Sequence, residues 1–174
     1  MTISPQSALL SLFSGLTLCC CLLTFTTVAH AEQSPLSGEL ATGIAFFGDD
    51  ASTFEPVPSL DLGLTYVFTD YIVARAAVGV AVTGHHGPIY LIHTRAEAAV
   101  RAKLARFVPL FGAGASAWDT NPAVHALLGL GLELAPGWQL ALDLRSGLYW
   151  DREDTHSGFT PYNEGQLRMS WPIR

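Results

Sequence analysis

Side chains able to do chemistry fall in two kinds of place in this sequence: alternate positions of long apolar segments, and short polar stretches between them. The first kind holds Glu39, Asp61, Glu97, Glu133 and Asp143, with Arg75, Arg95, Arg101, Arg145 and Arg168. Acids and arginines so balanced can satisfy one another as bidentate pairs if a fold gathers them in one confined space. The second kind includes "DTHSGFTPYNEG", where His156, Ser157 and Glu164 are the residue types of a nucleophile, its base and an acid. His156 and Ser157 are adjacent, however, and adjacent residues of a strand point to opposite faces, so a polar surface loop is the simpler reading. In "TGHHGP", His85 and His86 stand together with His93 a few residues on, and such neighbours could bind a transition metal alongside loop carboxylates. No closed ligand spacing accompanies them, so neither a metal nor any other cofactor is expected.

The segments that must position the ionic set alternate at the period of a β-strand. In "ELATGIAFF", Leu40, Ile44 and Phe46 face away from Glu39, Ala41, Gly43 and Ala45. In "SLDLGLTYVFTDY", Leu60, Leu62, Leu64, Tyr66 and Phe68 form one stripe and Asp61 and Gly63 lie on the other. The third segment sets Val78 and Val80 against Arg75 and Gly79, and the fourth sets Ile92, Ala98 and Val100 against His93, Arg95, Glu97 and Arg101. "FVPLFGAGASAW" is too rich in Gly and Ala to declare its faces. The sixth sets Leu128, Leu130 and Leu132 against His125, Gly129, Gly131 and Glu133; the seventh sets Leu142 and Leu144 against Asp143 and Arg145. "GQLRMSWPI" ends the series with Leu167, Met169 and Trp171 against Gln166 and Arg168. Eight strands with no helical pattern between them predict an antiparallel all-β fold.

Connections after strands two, four and six are tight, whereas those after one and seven are longer and acidic, with Asp49, Asp50, Asp151, Glu153 and Asp154 among their residues. Tight turns at one end and longer loops at the other are the layout of a bacterial outer-membrane barrel. Three features place the leucines outside. The polar face is also the small face, which suits the narrow interior of an eight-stranded barrel. Its charges are balanced. Aromatic residues gather at both ends, with Tyr66, Phe68, Tyr71, Phe107, Trp138 and Trp171 near the tight turns and Phe46, Phe47, Tyr90, Trp118, Trp150 and Phe159 near the longer loops.

The composition agrees. The chain of 174 residues is 49% hydrophobic and 14% charged, with a mean hydropathy of +0.32. A net charge of −6 argues against a nucleic-acid partner. Residues 1–31 read as a secretory leader, with an apolar run from Ala8 to Val28 and small residues at Ala29 and Ala31. Cys19, Cys20 and Cys21 all lie within it, so the mature domain, residues 32–174, is expected to hold no thiol.

"FVPLFGAGASAW" and "LLGLGLELAPGWQLALDLRSGLYW" resemble the small eight-stranded outer-membrane barrels of the OmpA/OmpX kind, in pattern over nearly the whole mature chain. One departure is the end, "SWPIR", where such barrels finish on an aromatic residue. The "NEG" before the last strand is similar to the end of the lipid A deacylases, which use His, Ser and Glu on the lipid-facing side. That similarity would assign His156, Ser157 and Glu164 to acyl hydrolysis as an alternative. A soluble lipocalin-like carrier, with the leucines lining a cavity, is a second alternative. The principal expectation is an eight-stranded, antiparallel, up-and-down transmembrane β-barrel of a Gram-negative outer membrane. It would be a non-enzymatic monomer, cleaved near Ala31, with a lumen plugged by the ionic set and short acidic external loops. Its expected partners are outer-membrane lipids, lipopolysaccharide and, during biogenesis, the barrel-assembly machinery.

Overall fold

The computed structural model describes residues 35–48, 55–83, 89–119, 121–150 and 158–173. The expected leader, His85, His86, His156, Ser157 and the loop acids named above lie outside the described residues. Eight strands follow one another: β1 (Leu36–Phe47), β2 (Glu55–Val67), β3 (Ile72–Thr83), β4 (Ile89–Arg101), β5 (Phe107–Trp118), β6 (Asn121–Ala135), β7 (Trp138–Trp150) and β8 (Phe159–Pro172). Each pairs with the next, and β1 pairs antiparallel with β8, so the sheet closes on itself. No helix occurs among the described residues. Closure gives every strand two neighbours and removes the free edges that would otherwise template aggregation.

Local chemistry sets the strand ends. Pro136 and Gly137 join β6 to β7, and Gly137 takes a φ of 79°, the left-handed position that a tight Pro-Gly turn requires. Pro56 and Pro58 lack backbone donors. The β2–β3 ladder accordingly begins only at Ser59 opposite Ala81, while the same prolines are matched on β1. At its other end β8 starts at Phe159, six residues ahead of the sequence expectation, because Tyr162 to Gly165 pair with both β1 and β7.

Alternation becomes inside and outside. Leu62 is 59% exposed and its neighbour Asp61 is 2% exposed. The same contrast recurs at Leu142 beside Asp143 and at Leu167 beside Arg168. An outer wall of exposed leucine, isoleucine and valine is far larger than the apolar patches a soluble monomer tolerates.

The lumen is filled in three layers. Toward the tight turns, Val73, Ala99, Leu110 and Leu127 cluster, with Val67 against them. Toward the longer loops, Trp118 and Tyr162 pack with Ala45, Val57, Ala81 and Ala123, and Phe47 joins them. Phe47 meets Trp118 edge to face at 5.1 Å and stacks on Tyr162 at 5.7 Å, contacts worth about 0.5–1.5 kcal/mol each beyond burial. Two residues expected in the outer aromatic belt therefore face inward. Phe46 and Phe47 are adjacent and must split between faces, and only Phe46 is outside. Trp118 is 2% exposed because the β5 register, which the Gly/Ala-rich sequence conceals, turns Leu110, Ser116 and Trp118 into the lumen.

Candidate functional site

Between the two apolar layers lies a belt of buried charge. Five carboxylates (Glu39, Asp61, Glu97, Asp143, Glu164) meet four guanidiniums (Arg75, Arg95, Arg145, Arg168), and all nine residues are buried. The groups come from β1, β2, β3, β4, β7 and β8, and β6 adds His125. The strand that supplies no charge makes room. A Cβ on Gly114 of β5 would stand 2.7 Å from Glu97 Cγ and 2.8 Å from His125 Nε2.

The pairing is continuous across the lumen. Arg75 reaches three acids: Glu39 at 3.3 Å, Glu97 at 3.1 Å and Asp143 at 2.9 Å. Arg168 donates to Asp143 at 2.8 Å and to Glu39 at 2.9 Å. Glu39 also accepts from the Thr65 hydroxyl. On the loop side, Arg95 donates to Asp61 at 3.1 Å and to both oxygens of Glu164 at 2.9 and 2.8 Å. Arg145 grips Glu97 through Nε and Nη2.

Gln166 joins the two halves. Its carbonyl accepts from Arg95 at 3.0 Å and from Arg145 at 2.8 Å, while its amide donates to Asp61 at 2.6 Å and Glu164 at 2.9 Å. Two histidines complete the belt, with His93 Nε2 2.7 Å from Asp61 and His125 Nε2 3.0 Å from Glu97. His93 also stacks on Trp118 with ring centroids 4.3 Å apart, which couples the ionic layer to the aromatic one.

This arrangement pairs the buried charges with one another. Each carboxylate is engaged by a guanidinium, so none is free to act as a base or nucleophile. The space among Glu39, Asp61, Arg75, Arg95, Glu97, Arg145 and Gln166 amounts to about 10 Å³, at the lower limit for a single water. Burying ions is costly, and such a network specifies one arrangement of strands more than it adds net stability. A lipocalin-like carrier needs an apolar cavity, and the lumen described here is packed with side chains in all three layers.

Of the ten residues expected in the ionic set, the structure gathers Glu39, Asp61, Arg75, Arg95, Glu97, Asp143, Arg145 and Arg168. Arg101 and Glu133 stand apart at the tight-turn rim. Arg101 donates to the backbone carbonyl of Asp70, and Glu133 pairs at 2.6 Å with Lys103, which is largely exposed. Both occupy the inward face but lie near the tight-turn ends of β4 and β6, with the apolar layer of Ala99 and Leu110 between them and the belt. Glu164, the acid of the alternative hydrolase triad, is 2% exposed and locked on Arg95 inside the barrel. It does not face the outer side where the deacylase resemblance would need it. His93, a few residues beyond the His85–His86 pair, is buried in the lumen on Asp61. Among the described residues no group of three or more His, Cys, Asp or Glu is placed to hold a metal ion.

Sequence reasoning missed Glu164, Gln166, His93 and His125 as members of the network. Alternation had already put His93, His125 and Gln166 on the inward face, and that was the available signal.

No family model matches the sequence, and no curated protein matches it. Solved structures do. A barrel from a study of de novo designed transmembrane β-barrels is 13% identical, with a TM-score of 0.53 over 83% of this chain and 100% of that one. Neisserial surface protein A is 13% identical, with a TM-score of 0.55 over 79% of this chain and 96% of its own. Ail, the attachment invasion locus protein of Yersinia pestis, is 10% identical, with a TM-score of 0.50 over 82% of this chain and 100% of its own. At such identities the likeness is one of fold: the chain is built as a small eight-stranded antiparallel closed barrel.

Proposed function

We propose that the chain is an integral outer-membrane barrel of a Gram-negative envelope, exported behind a leader cleaved near Ala31, and closed to solutes by its ionic belt. One observation carries this reading: the barrel is polar inside and apolar outside. Asp61 and Arg95 sit in the lumen while Leu60, Leu62 and Leu64 cover the wall. In water that wall would cost about 25 cal/mol for every Å² it exposes, whereas in a bilayer it is already in its preferred solvent. Strands of 12 to 15 residues exceed the roughly 9–11 that a tilted strand needs to cross hydrocarbon, so their ends project past it.

The barrel works without catalysis, as a monomer, through its envelope position and the acidic loops at its open end. It reaches the membrane through the barrel-assembly machinery. The OmpA/OmpX-like pattern of its Gly-rich strands supports this assignment. Reconstitution in planar bilayers tests the closed lumen. Only brief, small current steps are expected, and a stable, large single-channel conductance would overturn the plug. Lipid A mass spectra with and without the gene test for hydrolysis; an unchanged acyl pattern agrees with the non-enzymatic reading and a lost acyl chain contradicts it.

A further inference from the structure

Among the described residues, every lysine or arginine outside the ionic belt lies at one place, the connection between β4 and β5. Arg101 ends β4, and Lys103 and Arg106 follow it before β5 begins at Phe107. The connection is a tight reversal. Leu104 and Phe107 exchange two backbone hydrogen bonds, at 2.8 and 2.9 Å, and Ala105 takes a φ of 57°, a left-handed conformation that turns the chain within two residues. Bridged residues project to the same face, and here it is the outer wall: Leu104 and Phe107 are both exposed, and Phe107 pairs on its other side with Leu132 of that wall.

The turn is therefore amphipathic where the apolar wall ends. Its depth is marked by its neighbours. The Arg101 backbone N–H donates to the Tyr71 carbonyl at 2.8 Å, which ties the turn to an exposed tyrosine, and Trp138 is exposed at the next tight turn. Such aromatic residues sit at headgroup level. Charge at this rim is not closed. Arg101 donates to the Asp70 carbonyl and Lys103 pairs with Glu133, whereas Arg106 is exposed at the apex with no ion pair among the described residues. Against three cations the described rim sets two carboxylates, Asp70 and Glu133, both close enough to act on Arg101. One positive charge is left over.

We propose that this turn seats the headgroup of an anionic phospholipid from the leaflet that meets the tight turns. Arg106 holds the phosphate as a charge-assisted hydrogen-bond donor, the charge of Lys103 supports it, and Leu104 and Phe107 continue the wall alongside the acyl chains. An acidic peptide would answer the cations but would leave Leu104 and Phe107 uncovered; a lipid answers both. Phosphatidylethanolamine brings its own ammonium and no net charge, whereas phosphatidylglycerol brings the one negative charge that the rim lacks. The inference rests on the outer-membrane reading above, in which the tight turns face the periplasm, and deepens it by naming the lipid class.

The test uses the full chain in nanodiscs of phosphatidylethanolamine doped with phosphatidylglycerol, with retained lipids counted by native mass spectrometry. Wild type should keep one phosphatidylglycerol in preference to phosphatidylethanolamine, and the preference should weaken as salt is raised. Arg106→Gln, an exposed change away from the belt, should fold as wild type and lose about fivefold in that preference, the worth of one cation at a membrane surface. Arg106→Lys should keep it, because charge carries the contact. No preference in wild type, an unchanged preference in Arg106→Gln, or equal loss in both variants would overturn the site. If wild type does not enter nanodiscs at all, the membrane reading itself fails and takes this inference with it, a result distinct from insertion without lipid preference.

Discussion

Glu97 on β4 and Arg145 on β7 meet side by side in the middle of the lumen, through Nε at 2.5 Å and Nη2 at 3.3 Å, although β5 and β6 separate their strands in the wall. The pair reaches across the barrel, and Arg75 and His125 close on the same carboxylate. Arg145→Met should lower stability by about 3 kcal/mol, the lower end for breaking a buried pair, since Arg75 and His125 still reach Glu97. Urea unfolding in lipid vesicles checks this. Unchanged stability would mean that the belt is not organised as described.

Gly79 is inward-facing and has no spare room. A Cβ there would collide with Asp61 Oδ1 and lie 2.6 Å from the His93 ring. Gly79→Ala should therefore destabilise the barrel by about 1–3 kcal/mol through overpacking, measured in the same unfolding assay. A neutral result would show that the His93–Asp61 pair can move aside freely.

Leu64 sits on the wall, 43% exposed, midway along the stripe from Leu60 to Phe68. Leu64→Arg should reduce insertion, because an arginine at mid-bilayer on the lipid face costs roughly 2–4 kcal/mol. Membrane levels equal to wild type would count against this assignment of faces.

The tryptophans divide by environment. Trp118 is 2% exposed and stacked on His93, while Trp138 is 41% exposed on the outer wall. Single-tryptophan variants in vesicles containing brominated lipid should show strong quenching of Trp138 and little of Trp118. Comparable quenching of both would place Trp118 outside, as its sequence position alone suggested.

Strand number, closure and the two faces were legible because alternation between Leu and Asp or Arg directly encodes which side meets which solvent. Depth was not legible. Arg101 and Glu133 share the inward face with Arg95 and Asp143, but where along the lumen each falls depends on stagger between strands, which no single segment records. The faces of β5 were hidden for another reason, since "GAGAS" offers no contrast in polarity, and only pairing of Trp118 with His93 and Asn121 settles them. Local pattern places Glu164 with the loop, because this part of β8 is completed only by pairing with β1 and β7.

The most direct test of the central claim, a barrel apolar outside and sealed inside by ion pairs, is electrophoretic mobility of the protein from outer-membrane fractions, with and without boiling in SDS. A closed membrane barrel with a high unfolding barrier stays folded in SDS until heated. The account predicts that the protein is found in that fraction and that its band shifts on boiling. A soluble periplasmic protein whose band does not shift would contradict it.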